Sequence, residues 1–367
     1  MENFVVSARK YRPESFRSVV AQENITTTLK NAILTRQLAH SYLFCGPRGV
    51  GKTTCARIFA KTINCSNILP EGEACNSCES CKAFNTNRSY NIHELDAASN
   101  NSVDNIRELI DQVRIPPQIG NYSVYIIDEV HMLTTQAFNA FLKTLEEPPR
   151  HAIFILATTE KHKIIPTILS RCQIFDFTRI KVNDIVKYLE FVASSENVTV
   201  EPNALNVIAN KADGALRDAL SIFDQIVSFS GHHISYQDVI SNLNVLDYEY
   251  YFRIVDCFLK NQVADALIIF NEVLDKGFEG QHFLGGLSGH LRDLMVCRDP
   301  VTVQLLEVGG DIRERYRAQA ARAPHDFLID ALSLSTECEY QYKTSQNKRL
   351  IIELTLARIA QLTLKKK

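Results

Sequence analysis

Gly46-Pro47-Arg48-Gly49-Val50-Gly51-Lys52-Thr53 decides how the rest of this chain is read. The octapeptide fits the pattern G-x-x-x-x-G-K-[ST], in which glycines let backbone N–H groups turn inward around phosphates and a lysine reaches the outer ones. The pattern carries meaning only between a strand and a helix. Both are predicted here: Ser41-Tyr42-Leu43-Phe44-Cys45 is an apolar run, and a helical pattern extends from the loop to about Ile63. In that setting Lys52 meets the β- and γ-phosphates of a nucleotide, Thr53 offers its hydroxyl to Mg²⁺, and the helix start, with Thr54, adds a favourable dipole. The alternative is a chance glycine-rich turn, which has no need of a flanking strand and helix.

A second motif joins the first. Val124-Tyr125-Ile126-Ile127-Asp128-Glu129 is an apolar strand ending in two acids. Asp128 suits the Mg²⁺ shell and Glu129 suits the polarisation of an attacking water. Two acids at a strand end are also what a solvated turn looks like; the nearby phosphate loop favours the catalytic reading.

Outward from these motifs, apolar runs at 41–45, 91–96, 123–128, 152–158 and 173–177 alternate with helical patterns. Such alternation predicts an α/β domain with a parallel five-stranded sheet flanked by helices. The third and fourth runs are almost uniformly apolar, as strands covered on both faces are. Strand signals stop after about Arg179. Helical spacing follows at 182–196, 202–211 and 215–229, with Pro202 near a start and Gly214 at a break. Further amphipathic segments lie at 248–259, 263–276, 283–297 and 348–364. The expected division is a nucleotide-binding domain at 1–179, a three-helix domain at 180–243 and an all-α domain at 244–367. Lys365-Lys366-Lys367 reads either as a solvated helix end or as the stump of a longer tail.

Composition limits the partners. The 367 residues carry 40 Lys plus Arg against 42 Asp plus Glu, so there is no global positive field, and any nucleic-acid contact must come from a local patch or an assembled ring. No apolar run reaches the roughly 20 residues that cross a bilayer, and the N-terminus lacks a signal-peptide apolar region, so a cytoplasmic protein with no membrane partner is expected. Four of the ten cysteines cluster as Cys65-x9-Cys75-x2-Cys78-x2-Cys81. In a reducing compartment that spacing points to a metal, with four thiolates closing a tetrahedral Zn²⁺ site. An iron–sulfur cluster is the alternative for the close Cys75, Cys78 and Cys81. Cys45, Cys55, Cys172, Cys257, Cys297 and Cys338 read as small buried residues or incidental thiols.

Asp128-Glu129-Val130-His131, Ser170-Arg171-Cys172 and Gly214-Ala215-Leu216-Arg217-Asp218-Ala219-Leu220 together resemble the AAA+ clamp-loader ATPases, the gamma/tau family of bacterial DNA polymerase III. The resemblance runs from Ala8-Arg9-Lys10-Tyr11-Arg12-Pro13 to at least Leu220 and includes the stretch from Phe138 to Pro149. It implies that the helical domain at 180–243 is a lid and the block from 244 a collar for oligomerisation. It also implies roles that spacing alone does not give. Arg171 resembles an arginine finger acting on a neighbouring subunit's γ-phosphate; a surface arginine is the alternative. Arg217 resembles the sensor-2 arginine of the lid, against a helix salt bridge to Asp213 or Asp218. Thr159 resembles sensor 1, against a cap on the next element. Tyr11, Val19 and Val20 resemble an adenine cradle, against ordinary core.

The function so implied is an ATP-dependent motor that joins further gamma/tau copies with delta and delta-prime subunits, opens the sliding clamp and loads it on primer-template DNA. The residues alone support a Mg²⁺-dependent ATP hydrolase, and they define no polymerase active site, so any polymerase label belongs to the assembled enzyme. One rival is the non-hydrolysing delta-prime subunit, which lacks an intact phosphate loop. Another is a Holliday-junction motor, which ends in a winged helix and lacks the cysteine insert.

Overall fold

The structure, a computed structural model, describes residues 5–86, 88–117, 120–306, 308 and 310–363. The lysines at 365–367 and the end of the helix expected to reach 364 lie outside the described residues. Along the chain run α1 (Ser7–Lys10), α2 (Glu23–Leu34), β1 (Ser41–Cys45), α3 (Lys52–Ile63), α4 (Glu79–Asn85), β2 (Ile92–Asp96), α5 (Val103–Val113), β3 (Ser123–Asp128), α6 (Thr135–Glu146), β4 (Ala152–Thr158), α7 (Pro166–Leu169) and β5 (Gln173–Asp176). There follow α8 (Val182–Ser195), β6 (Thr199–Val200), α9 (Pro202–Lys211), α10 (Leu216–Ser230), β7 (His233–Ile234) and α11 (Tyr236–Leu243). Among the described residues six further α-helices follow: α12 (Tyr248–Leu259), α13 (Val263–Asp275), α14 (Gly280–Val296), α15 (Gly310–Arg322), α16 (His325–Tyr342) and α17 (Lys348–Gln361).

Strands β1 to β5 form one parallel sheet in the order β2-β3-β4-β1-β5. The three central strands are buried along their length apart from the partly exposed Asp128, whereas β2 and β5, at the edges, are largely open to solvent. Side chains of one strand point alternately to the two faces, and the core follows that rule. Tyr42, Phe44, Val124, Ile126, Ile153 and Ile155 pack with Leu29, Ile58 and Phe59 on one face. Leu43, Tyr125, Ile127, Phe154 and Leu156 pack with Ile106, Leu109 and Phe141 on the other. Phe154 meets Phe141 edge-on with ring centroids 5.2 Å apart, an arrangement favoured by the ring quadrupoles. Helix starts are fixed locally: Ser102 and Thr134 accept backbone N–H bonds of 3.2 Å at the heads of α5 and α6, satisfying donors that a helix leaves open.

The chain divides into two compact units, one running through Val192 together with Lys211–Asp224, the other comprising Ala193–Asn210 and everything from Gln225 onward. The first contains the five-stranded α/β sheet and phosphate loop that the sequence predicts, together with part of the segment expected as a separate domain at 180–243. In the second, three features depart from expectation. β6 and β7 pair in parallel over two residues each, although no strand was expected beyond Arg179. A further helix, α11, follows the three expected at 180–243, started by a capping box between Ser235 and Asp238. Helices α15 and α16 fill the gap left between the expected segments 283–297 and 348–364.

The helical block has its own core, with Phe258, Phe270, Phe283, Leu287, Leu291 and Leu356 fully enclosed. His290, Gln319, Ser335 and Thr355 are polar side chains buried within it. His290 Nε2 donates to Gln319 Oε1 and its Nδ1 accepts from the Tyr316 hydroxyl, both at 2.9 Å. The donor sense follows from Gln319, whose amide nitrogen is committed to Phe252 O and Asp256 Oδ1. Burial holds this imidazole neutral, lowering its pKa from 6.5 to about 4. Between those two pH values the unfolded chain binds the extra proton, so stability is full above about 6.5 and falls as the pH drops toward 4. We expect His290 to remove up to about 3 kcal/mol across that window. Urea midpoints against pH for the wild type and for His290→Asn should show a flatter curve in the variant.

Candidate functional site

Parallel α/β sheets gather ligands outside the carboxyl ends of their strands, and there the motifs converge. β1 ends at Cys45, the loop runs to Gly51, and α3 begins at Lys52. Gly46 has φ +146°, and a Cβ on it would lie 2.4 Å from Phe177 O; only glycine lets β1 and the exit of β5 close this far. Gly51 has φ +103°, yet a Cβ there would meet nothing within 4 Å. Its backbone conformation excludes other residues while its surroundings stay open. Lys52 is 5% exposed, and its Nζ donates to the carbonyls of Gly46 and Pro47 at 2.7 Å each. Burial lowers the pKa of this ammonium, against the opposing pull of Glu129 and Asp128.

The Thr53 hydroxyl donates to Asp128 Oδ2 at 2.7 Å. Two oxygens so close can become neighbouring corners of a Mg²⁺ octahedron, whose ligands lie at about 2.1 Å from the ion and about 3 Å from one another. Glu129 stands in the left-handed backbone region, φ +48°. Its carboxylate accepts from the Thr159 amide at 3.2 Å and hydroxyl at 2.9 Å. His131 approaches the same oxygen at 3.4 Å while its Nδ1 meets Thr158 Oγ1 at 3.0 Å and its Nε2 meets Glu160 at 3.1 Å. Glu129 is therefore a carboxylate with a set direction.

Above these groups lies a cleft of about 830 Å³ lined by Tyr11, Val19, Val20, Arg48, Gly49, Val50, Gly51, Lys52, Thr53, Thr54, Asp128, Glu129 and Arg217, among others. The size suits a nucleotide-class ligand. Gly46, Pro47 and Thr159 stand behind the lining and act on it through Lys52 and Glu129. Arg217 donates its backbone N–H to Gly49 O at 3.4 Å. Its guanidinium makes no ion pair among the described residues, Asp213 being engaged by Arg179. Tyr11 both lines the cleft and packs edge-on against Phe191 at 6.2 Å. Arg171 is elsewhere: it pairs with Glu146 at 2.7 Å, bonds Thr167 O at 2.7 Å, and borders a separate depression near Ala39 and His40.

Three charged groups of the cleft, Arg9, Arg12 and Asp96, escaped the sequence reading. Arg12 lines it and donates to Thr54 Oγ1 at 3.3 Å; burial, with Arg57 and Arg217 adding to it, lowers its pKa. Asp96 also lines it, being the register partner of Asp128 across β2 and β3. That both strands end in Asp was the available signal for Asp96. Nothing periodic distinguished Arg9 and Arg12 from Lys10.

The four clustered cysteines come together, with all sulfurs within 4.8 Å and Cys65 Sγ 3.9 Å from Cys78 Sγ. Tetrahedral Zn–S bonds of about 2.3 Å put neighbouring sulfurs about 3.8 Å apart, so the residues fit the ion. Amide N–H groups of Cys75 and Cys78 point at Cys65 Sγ and Cys75 Sγ, each at 3.3 Å. Hydrogen bonds from Ser77 and the Cys78 amide bring the Cys75 thiol down to about 5, whereas burial pushes Cys65 and Cys81 up. Without a cation the cluster cannot carry four thiolates together; a dication would relieve that repulsion.

Comparison with known proteins agrees. Residues 21–181 match the family described as DNA polymerase III, delta subunit, and residues 184–232 match the DNA polymerase III clamp loader subunit, ATPase lid domain. The chain is 40% identical to DNA polymerase III subunit tau of Bacillus subtilis over 96% of its length, spanning 62% of that protein. It is 37% identical to the tau subunit of Escherichia coli over 97% of its length, spanning 55%. A third relative, DNA polymerase III subunit gamma of Buchnera aphidicola subsp. Baizongia pistaciae, is 32% identical, with 99% of this chain and 98% of that one aligned. Among solved structures, the Thermotoga maritima RuvB Holliday junction branch migration motor aligns with TM-score 0.48 and 20% identity, covering 84% of this chain and 91% of that one. Alignment over nearly the whole of both chains is decisive: this chain belongs to the gamma/tau family of DNA polymerase III clamp-loader subunits.

Proposed function

We propose that the cleft binds ATP with Mg²⁺ and hydrolyses it, and that this chain is a motor subunit of a sliding-clamp loader. The observation that carries the reading is the convergence of Lys52, Thr53, Asp128 and Glu129 on one cleft. Bound Mg²⁺-ATP would supply the electrophilic γ-phosphoryl group and most of the charge to be neutralised. Lys52 already has its Nζ at the loop carbonyls, so a phosphate oxygen needs only to add to or replace them. Thr53 and Asp128 hold the metal. Glu129 accepts from the attacking water, and Thr159 keeps its carboxylate aimed. Arg48, Arg12 and Arg217 supply positive charge around the cleft, with Tyr11, Val19 and Val20 on the base side.

Arg171 serves a neighbouring copy in this reading, which suits its distance from the cleft residues of its own chain. Segment 1–179 acts as motor, 180–243 as lid and 244–367 as collar. The partners are further gamma/tau copies, delta and delta-prime subunits, the clamp and primer-template DNA in the bacterial cytoplasm. The four-cysteine module holds a structural Zn²⁺. A non-hydrolysing subunit, the reading suggested by the delta-subunit family match, would have no use for the complete set of phosphate, metal and water ligands.

Glu129→Gln should bind Mg²⁺-ATP with unchanged affinity and turn over about 10²–10³-fold more slowly, measured by nucleotide binding and phosphate release. Arg171→Ala, assayed with partner subunits, clamp and primed DNA, should keep ATP binding and lose stimulated hydrolysis by about 10³-fold; full stimulation would end the trans assignment. Titration of the cysteines with a mercurial should release close to one Zn²⁺ per chain to a chromophoric chelator, and Cys78→Ser should purify with little or none.

A further inference from the structure

Glu73 is a carboxylate only 5% exposed, two residues before Cys75 in the cysteine module. Its partners lie outside the module. Oε2 accepts the backbone N–H of Phe16 at 3.0 Å, and Oε1 accepts that of Arg17 at 3.1 Å and the Lys30 ammonium at 2.8 Å. A second ion pair, Arg17 with Glu71, lies beside it. Residues 16–18 form a single 3-10 turn, and the Val19 amide closes it by donating to Phe16 O at 3.3 Å. Val19 and Val20 then enter the wall of the cleft. One turn of backbone thus separates the Glu73 carboxylate from the base side of the site.

In the other direction the link is equally short. Ala74 is buried with Cys65 and Cys81, and the Cys75 amide donates to Cys65 Sγ. Spreading the four sulfurs would move Glu73 with them. Removing the carboxylate would strand one buried N–H group, a part-buried one and an ammonium, a costlier loss than that of a neutral hydrogen bond.

We propose that Glu73 is a positioning residue for the base-side wall of the cleft: it transmits closure of the four-thiol module to Val19 and Val20, so that nucleotide affinity depends on the module being held together by its metal. This rests on the cleft being a nucleotide site and on the module holding Zn²⁺. It gives the module a part in the binding step while leaving the phosphate loop untouched.

The test uses the full chain, a fluorescent adenine nucleotide with Mg²⁺, and inorganic tripolyphosphate as a competitor that lacks base and sugar. Glu73→Gln should keep its zinc and weaken adenine-nucleotide binding about five- to tenfold, as expected for the loss of a charged hydrogen-bond anchor. Its tripolyphosphate affinity and its turnover at saturating ATP should stay unchanged, giving a KM effect without a kcat effect. Stripping zinc from the wild type should reproduce that loss, zinc readdition should reverse it, and stripping Glu73→Gln should add nothing further. Equal nucleotide affinity in wild type and Glu73→Gln overturns the proposal. So does an equal loss on stripping in both proteins, which would route the effect through another contact, such as Phe84 under Arg57 and Lys61. A zinc-loaded wild type that binds no adenine nucleotide would instead sink the reading of the cleft. Should Glu73→Gln fail to fold, zinc removal and readdition on the wild type still decides: unaltered nucleotide affinity refutes the coupling.

Discussion

A buried ammonium has to be answered by oxygen atoms, and Lys52 is answered by the carbonyls of its own loop. That constraint shapes the carboxyl edge of the sheet. The loop must curl until Gly46 O and Pro47 O face the helix it precedes, and the curl brings Gly46 against the backbone after β5. The same curl turns the start of α3 toward Asp128, whose carboxylate takes the Thr53 hydroxyl. Loop, helix and third strand are thus tied through two side chains that stand next to each other in sequence.

Charge at this edge is concentrated although the chain as a whole is close to neutral. Lys52, Arg12, Arg48 and Arg217 face Asp96, Asp128 and Glu129 across one cleft. Opposite charges at close range in a partly dry site interact far more strongly than the same charges spread over a wetted surface. The acids are individually restrained, Asp128 by Thr53 and Glu129 by Thr159 and His131. The arginine at 217 has no such partner among the described residues, which leaves its guanidinium available to an anion.

The sheet was legible because its central strands are covered on both faces and so read as unbroken apolar runs. Predicted and observed limits coincide for β1, β3 and β4. At the edges, where β2 is largely open to solvent, the start was displaced from 91 to Ile92. β6 and β7 are two residues long, below any periodic signal. α15 escaped because Ile312-Arg313-Glu314-Arg315-Tyr316-Arg317 is dominated by charged residues and its sequence shows no wide apolar stripe. The site divides in the same manner. Residues held by one turn of chain, from Gly46 to Thr54, were readable as a motif. Arg12, Asp96 and Glu73 depend on elements brought together by the tertiary fold, and Glu73 in particular reads in one dimension as an ordinary loop acid.

The strand order has a consequence for how the chain is made. Ser41 pairs with Phe154 and Tyr42 with Gln173, so the strand that carries the phosphate loop emerges early and then waits for both of its neighbours. Until they arrive it is an apolar ribbon with two open hydrogen-bonding edges, the kind of segment that invites wrong pairings during synthesis. The cysteine module, closed by residues 65–81, falls inside that waiting period and needs no distant partner for its four sulfurs to meet. Those four sulfurs can meet while the sheet is still incomplete, giving the nascent domain a locally closed segment ahead of the sheet.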